Sequence, residues 1–190
     1  MMDAVPLKKN TVALSTLAMI AALGVVARLF VRFTVIPEFV EITPGFLFSE
    51  LGGVIGGIPG GIFVGTIVGI GGVLGGGEFS MLPLLGNISL GIGTGYAIYV
   101  TRERDSFKYL ILAILGGGII GGFIPDMTIF LYLSESIEAA VLTALIDTVQ
   151  GSAWAAVAVI VERTLIRPLI GNYIYKEQEI LKLEDREVAN

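Results

Sequence analysis

The sequence predicts an all-α membrane protein, a polytopic bundle of about six transmembrane helices with both termini on the cytoplasmic side. Three observations predict it. The mean hydropathy is +0.85, with 54% hydrophobic and only 15% charged residues, a balance foreign to water-soluble domains. Residues 45–77 hold fourteen of the 26 glycines, and almost everything between them is Ile, Val, Leu or Phe. In a soluble helix each glycine costs roughly 1 kcal/mol relative to alanine. In a bilayer the backbone must close its own hydrogen bonds as helix, and glycine becomes a flat surface for a neighbouring helix. Third, the basic residues segregate. Lys8, Lys9, Arg102, Arg104, Lys108, Arg163, Arg167 and Lys176 fall in connectors of one side, whereas connectors 34–43, 76–80 and 132–136 contain no Lys or Arg. The basic side is the cytoplasmic one.

Residues 1–10 read as a cytoplasmic N-terminus. Thr11 to about Phe33 is long enough to cross a ~30 Å core at about 1.5 Å per residue. It has no small-residue cleavage site, so an uncleaved first span is expected. Ala18 and Ala22 stand four apart in it, and Arg28 and Arg32 close it. Residues 34–43, with Pro37, Glu38 and Glu41, read as a short extended connector. Gly53, Gly57, Gly61, Gly65 and Gly69 then recur every fourth residue, and Pro59 interrupts them. This pattern predicts two short helices, about 44–58 and 59–75, meeting at Ile58, Pro59 and Gly60. A turn with Glu78 leads to a fourth span, about 81–101. The charged loop 101–108 leads to a fifth, about 107–131, which contains Pro125. Glu135 and Glu138 mark the turn before a sixth, about 137–161. The membrane domain is thus expected over 11–167, followed by a cytoplasmic tail over 168–190.

Ionisable groups inside spans cost about 2.5–3.5 kcal/mol each on insertion scales and by default point to function. Arg28, Glu50, Asn87, Asp126 and Asp147 are the polar groups at depth. Thr143, Asp147, Gln150, Gly151 and Trp154 fall at i, i+4, i+7, i+8 and i+11, one helical face. Arg28, Glu50, Asn87, Asp126, Asp147, Gln150 and Trp154 are therefore the candidate substrate-binding residues. They collect in the outer half, whereas the inner half reads as nearly all Gly, Ala and aliphatic. That describes a cavity open to the outside with no polar path through, and argues against a channel. Acids outnumber bases there, which favours an amine-bearing or cationic heterocycle as ligand.

Other chemistries find no residues to carry them. With no Cys and no His, thiol, disulfide and imidazole-metal chemistry are absent, and neither a catalytic nor a metal site is expected. Gly116, Gly118 and Gly121 match a dinucleotide fingerprint without a βαβ unit around them, and no Walker-type loop is present. The chain reads as no enzyme. Its net charge of −5 lies in the termini and rims and suggests no nucleic-acid partner.

The opening span LSTLAMIAALGVVARLF, followed by a lid-like connector, a Gly/Pro-rich hairpin and three more spans, resembles the substrate-binding S component of an energy-coupling factor transporter. The resemblance covers about residues 11–167. It implies a six-helix bundle in the cell membrane that binds a small vitamin-like or heterocyclic substrate beneath the first connecting loop. It also implies docking through Ala18 and Ala22 on a transmembrane coupling subunit powered by ABC-type ATPases. ATP would be used by those partners, with no cofactor in this chain. The absence of His argues against nickel or cobalt as cargo. Two other classes stay open. One is a cation- or proton-coupled secondary transporter using Glu50, Asp126 or Asp147, although no inverted repeat relates 11–75 to 81–161. The other is a non-transporting membrane scaffold subunit.

Overall fold

A computed structural model describes residues 10–31, 33–36, 40–76, 81–134 and 136–175. Lys8, Lys9, Arg32, Pro37, Glu38, Glu78, Glu135, Lys176 and the tail 176–190 lie outside the described residues, as does the side chain of Glu41. The chain is a helical membrane bundle: four helical stretches, Thr11–Phe30, Gly45–Gly75, Phe107–Phe130 and Ile137–Ile174, are long and apolar enough to cross a membrane. Large apolar side chains also cover its outside, among them Met19, Leu23, Val26, Leu142, Val149 and Ile160, as a lipid-facing surface requires.

Helix α1 (Thr11–Phe30) begins at Asn10, whose side chain accepts from the Ala13 amide and caps the first turn. Ala13, Leu17, Ile20, Ala21 and Gly24 form its buried stripe. A two-stranded antiparallel hairpin follows, β1 (Phe33–Ile36) and β2 (Val40–Ile42), with Phe33 opposite Ile42. The connector is extended as expected, and its two halves pair with each other. It is the one sheet among the described residues.

Helix α2 (Gly45–Gly76) is two arms. Gly57, at φ 63° and ψ −159°, breaks it two residues before Pro59, and only glycine adopts that backbone readily. The chain turns back there. A methyl group on Gly52 would meet Val64 Cβ at 2.6 Å and the Gly60 carbonyl at 3.0 Å, and one on Gly24 would meet both Phe48 and Val68. The arms 45–56 and 58–76 therefore lie side by side, the two short helices that Pro59 foretells.

Helices α3 (Leu82–Gly95) and α4 (Ala97–Thr101) continue one another, and α3 runs antiparallel to the second arm of α2. Gly61 meets Gly91, Gly65 meets Asn87 and Gly69 meets Leu84, each backbone against backbone. Helix α5 (Phe107–Leu115) passes into wide π-helical turns over Gly116–Phe123 and Asp126–Phe130. Gly116, Gly117, Gly118, Gly121 and Gly122 are buried in the first of these, against α3 and α6 (Ile137–Val161).

Helix α6 does not stop near residue 161. It continues through a π turn, Glu162–Ile166, into α7 (Arg167–Ile174). The expected tail boundary at 167/168 therefore falls inside a docked helix. Gly171 and Ile174 are buried, Ile174 belongs to the main core, and Asn10 donates to the Tyr173 and Ile174 carbonyls at 2.9 and 3.0 Å. The apolar pattern fades at Glu162 and Arg163, and the helix outlasts it because those charges are paired inside the protein.

Candidate functional site

Two polar regions occupy opposite ends of the bundle. At the Arg28 end, Arg28 closes the last turn of α1, packs its stem over Gly45 and Gly72, and lies 5.9 Å from the Phe46 ring centroid. Asp126, at the start of the second π turn, is 3% exposed and has Asp147 of α6 as its neighbour. Pro125, with no amide hydrogen, sits where the helix widens and brings Asp126 to α6.

Glu50, in the first arm of α2, is fully buried, and neither carboxyl oxygen has a hydrogen-bond partner. It reaches toward Gly117, where a methyl group would lie 2.8 Å from Glu50 Oε1 and 3.0 Å from the Gly151 carbonyl. Asn87 is engaged within the fold: Ser49 Oγ donates to its Oδ1 at 2.7 Å, and its Nδ2 donates to the Pro83 carbonyl at 2.7 Å. It ties α2 to α3.

Gln150 and Trp154 line a cleft of about 470 Å³ between β2 and α6. The rest of its wall is Ile42 from β2 and Leu145, Ile146, Val149 and Ala153 from α6. Gln150 is buried, and both its amide nitrogen and oxygen lack partners. The structure therefore brings together Asp126 with Asp147, and Gln150 with Trp154, and leaves Glu50 and Asn87 in the helix interfaces. Ile42 and the aliphatic residues of α6 escape a search for polar groups. Their signal in the sequence is the period of α6, since 146, 150 and 153 share a face. Ala18 and Ala22 are exposed on the side of α1 away from the core.

The opposite end corrects the expectation of an inner half that is nearly all Gly, Ala and aliphatic. Arg104, which reads as a loop charge, is 7% exposed. Its guanidinium donates to the Val54 carbonyl and, at 3.0 Å, to the Ile55 carbonyl, and it stacks 4.5 Å from the Tyr175 ring centroid. Glu162 is fully buried, accepting from Arg167 at 2.9 and 2.6 Å and from the Tyr175 hydroxyl at 3.0 Å. Burial pushes the Tyr175 hydroxyl above its ordinary value, so it keeps the proton it donates. Arg163 donates to the Arg104 and Ser106 carbonyls, and Arg167 also pairs with Asp105. Arg104, Asp105, Glu162, Arg163 and Arg167 each answer another group of the chain, so this end is a clamp. No protein-family model matches the chain, and no curated protein is similar to it.

Proposed function

We propose that the chain is the substrate-capture subunit, or S component, of an energy-coupling-factor-type uptake transporter, crossing the cell membrane six times with both termini in the cytoplasm. The observation that carries this reading is the cleft under β2. It lies beneath the first connecting segment, has the size of a small-molecule site, and is walled by aliphatic side chains and the chain's lone tryptophan. The well-tied opposite end supports capture from one side only. Small exposed residues on α1, Ala18 and Ala22, offer a surface on which another membrane helix can pack closely. The coupling subunit and its ABC-type ATPases are the proposed partners, and they supply the ATP chemistry.

The test uses the docking face. Ala18→Trp or Ala22→Trp should abolish co-purification of ATPase subunits from native membranes and reduce uptake at least tenfold, while small-molecule binding to the isolated protein stays within twofold of wild type. Equal loss of both would mean that these alanines serve the chain's own packing. The neighbouring carboxyls of Asp126 and Asp147 favour a second reading, a proton- or cation-coupled secondary transporter, because two acids side by side can take up and release a proton or a cation. Uptake that survives without any ATPase partner and collapses with a protonophore would select it.

A further inference from the structure

The cleft under β2 opens onto the lipid-facing flank of the bundle. Leu145, Val149 and Ala153, which line it, share one stripe of α6 with Leu142 just before it. Leu142, Leu145 and Val149 are each more than half exposed, so the cleft is continuous with the surface that meets lipid. Leu145 and Trp154 stand about 12 and 26 Å along α6 from Ile137, within the ~30 Å of a hydrocarbon core. The described walls present hydrocarbon and an indole. Ile42, Leu145, Ile146, Val149 and Ala153 are aliphatic, and Gln150 lends only its stem, because its amide is closed off inside the protein.

Such walls sort ligands by fit. A strongly hydrated molecule would give up its water against them with nothing in return. A molecule already dissolved in the bilayer gains little merely by leaving lipid, since acyl chains are as apolar as leucine, and what remains is packing. A flexible acyl chain loses rotamer freedom on entering. A stiff ringed or branched body loses little, and it can lay a face on the Trp154 indole. We propose that this cleft takes a lipid-soluble molecule with a stiff apolar body, which enters sideways from the bilayer. The inference rests on the capture reading and narrows it to a lipophilic substrate. Glu50, Asp126 and Asp147, the acids that suggest a cationic ligand in the sequence, are not among the described walls. The apolar body is what these walls enclose, and nothing here turns on Glu38 or the Glu41 side chain, which lie outside the described residues.

Trp154 is the only tryptophan in the chain, so its emission reports on the cleft. The full chain in nanodiscs is titrated with retinol, a stiff apolar polyene that absorbs where tryptophan emits. Emission should fall saturably, while benzamidinium and thymine added from water should leave it unchanged. Ala153→Phe and Val149→Phe each fill the cleft and should weaken the saturable fall about tenfold or more, as overfilling a packed site does. Leu142→Phe, on the same stripe but outside the cleft, should not. A melting curve of each variant shows that the fold is retained. Quenching that never saturates, or that is equal in the wild type and the folded filled variants, means that bulk lipid alone occupies the groove and overturns the inference. Saturable binding of thymine or benzamidinium that the filled variants lose also overturns it and leaves capture standing. Where retinol fails, native mass spectrometry of the protein from its own membranes decides the capture reading. A small molecule other than phospholipid, carried by the wild type and lost from Ala153→Phe, keeps that reading, and the absence of any removes it.

Discussion

Arg104 is the residue on which the bend in α2 depends. The carbonyl of Ile55 would be met in a continuous helix by the amide of residue 59, and that residue is Pro59, which has none. The carbonyl of Val54 loses its partner because the chain turns away at Gly57. A guanidinium carries five N–H donors in a fixed fork and answers both carbonyls, with the Tyr109 hydroxyl adding a 3.3 Å bond to Val54. Hydrogen bonds to a charged group contribute about 1.5–3 kcal/mol each. Arg104→Ala should therefore destabilise the protein by about 3 kcal/mol or more, read as a lowered unfolding midpoint in mild detergent. Arg104→Lys should recover less than half, because an ammonium lacks the fork. A wild-type midpoint for Arg104→Ala would mean that water caps these carbonyls as well as the arginine does.

At the scale of elements, the contact between α2 and α3 is made of backbone. Gly61 and Gly91 approach so closely that a methyl group on either would overlap the other's carbonyl, whereas a methyl on Gly86 would find its nearest neighbour, Phe130, at 3.9 Å. Gly61→Ala should cost about 1–3 kcal/mol or more through forced separation of the helices. Gly86→Ala should be neutral or stabilising by up to about 1 kcal/mol, since alanine is the better helix former. Thermal unfolding of the two variants in nanodiscs gives the comparison, and equal midpoints would refute a direct backbone contact at Gly61. This packing was legible in the sequence, because small residues four apart leave a visible period and Pro59 marks its interruption. The burial of Asp126 was legible too, since charge is conspicuous in an apolar run. Arg104 and Glu162 were not, because a charge beside a loop looks the same whether it faces water or folds back onto a broken helix. Nor did the sequence distinguish Asn87 as a tie from Asn87 as a ligand contact. That distinction lies in Ser49, 38 residues away in the chain.

For the whole molecule, the proposed six crossings make a checkable statement about sidedness. Reporter fusions at Arg104 and after Arg167 should read cytoplasmic, and fusions at Glu78 and Glu135 external, each with at least tenfold contrast between cytoplasmic and external reporters. A cytoplasmic signal at Glu78 would remove one crossing and invert everything after it. The clamp around Arg104 also imposes an order on biogenesis. The first arm of α2 leaves the ribosome with the Val54 and Ile55 carbonyls open, and the side chain that closes them lies 50 residues further along. At about 5–20 residues per second, roughly 2–10 s of synthesis separate the two. Throughout that interval the hairpin cannot settle in hydrocarbon without stranding polar backbone there. It must wait at the translocon or in the interface until α3 and the Arg104 loop arrive, so insertion of this protein is completed backwards, by a later segment reaching into an earlier one.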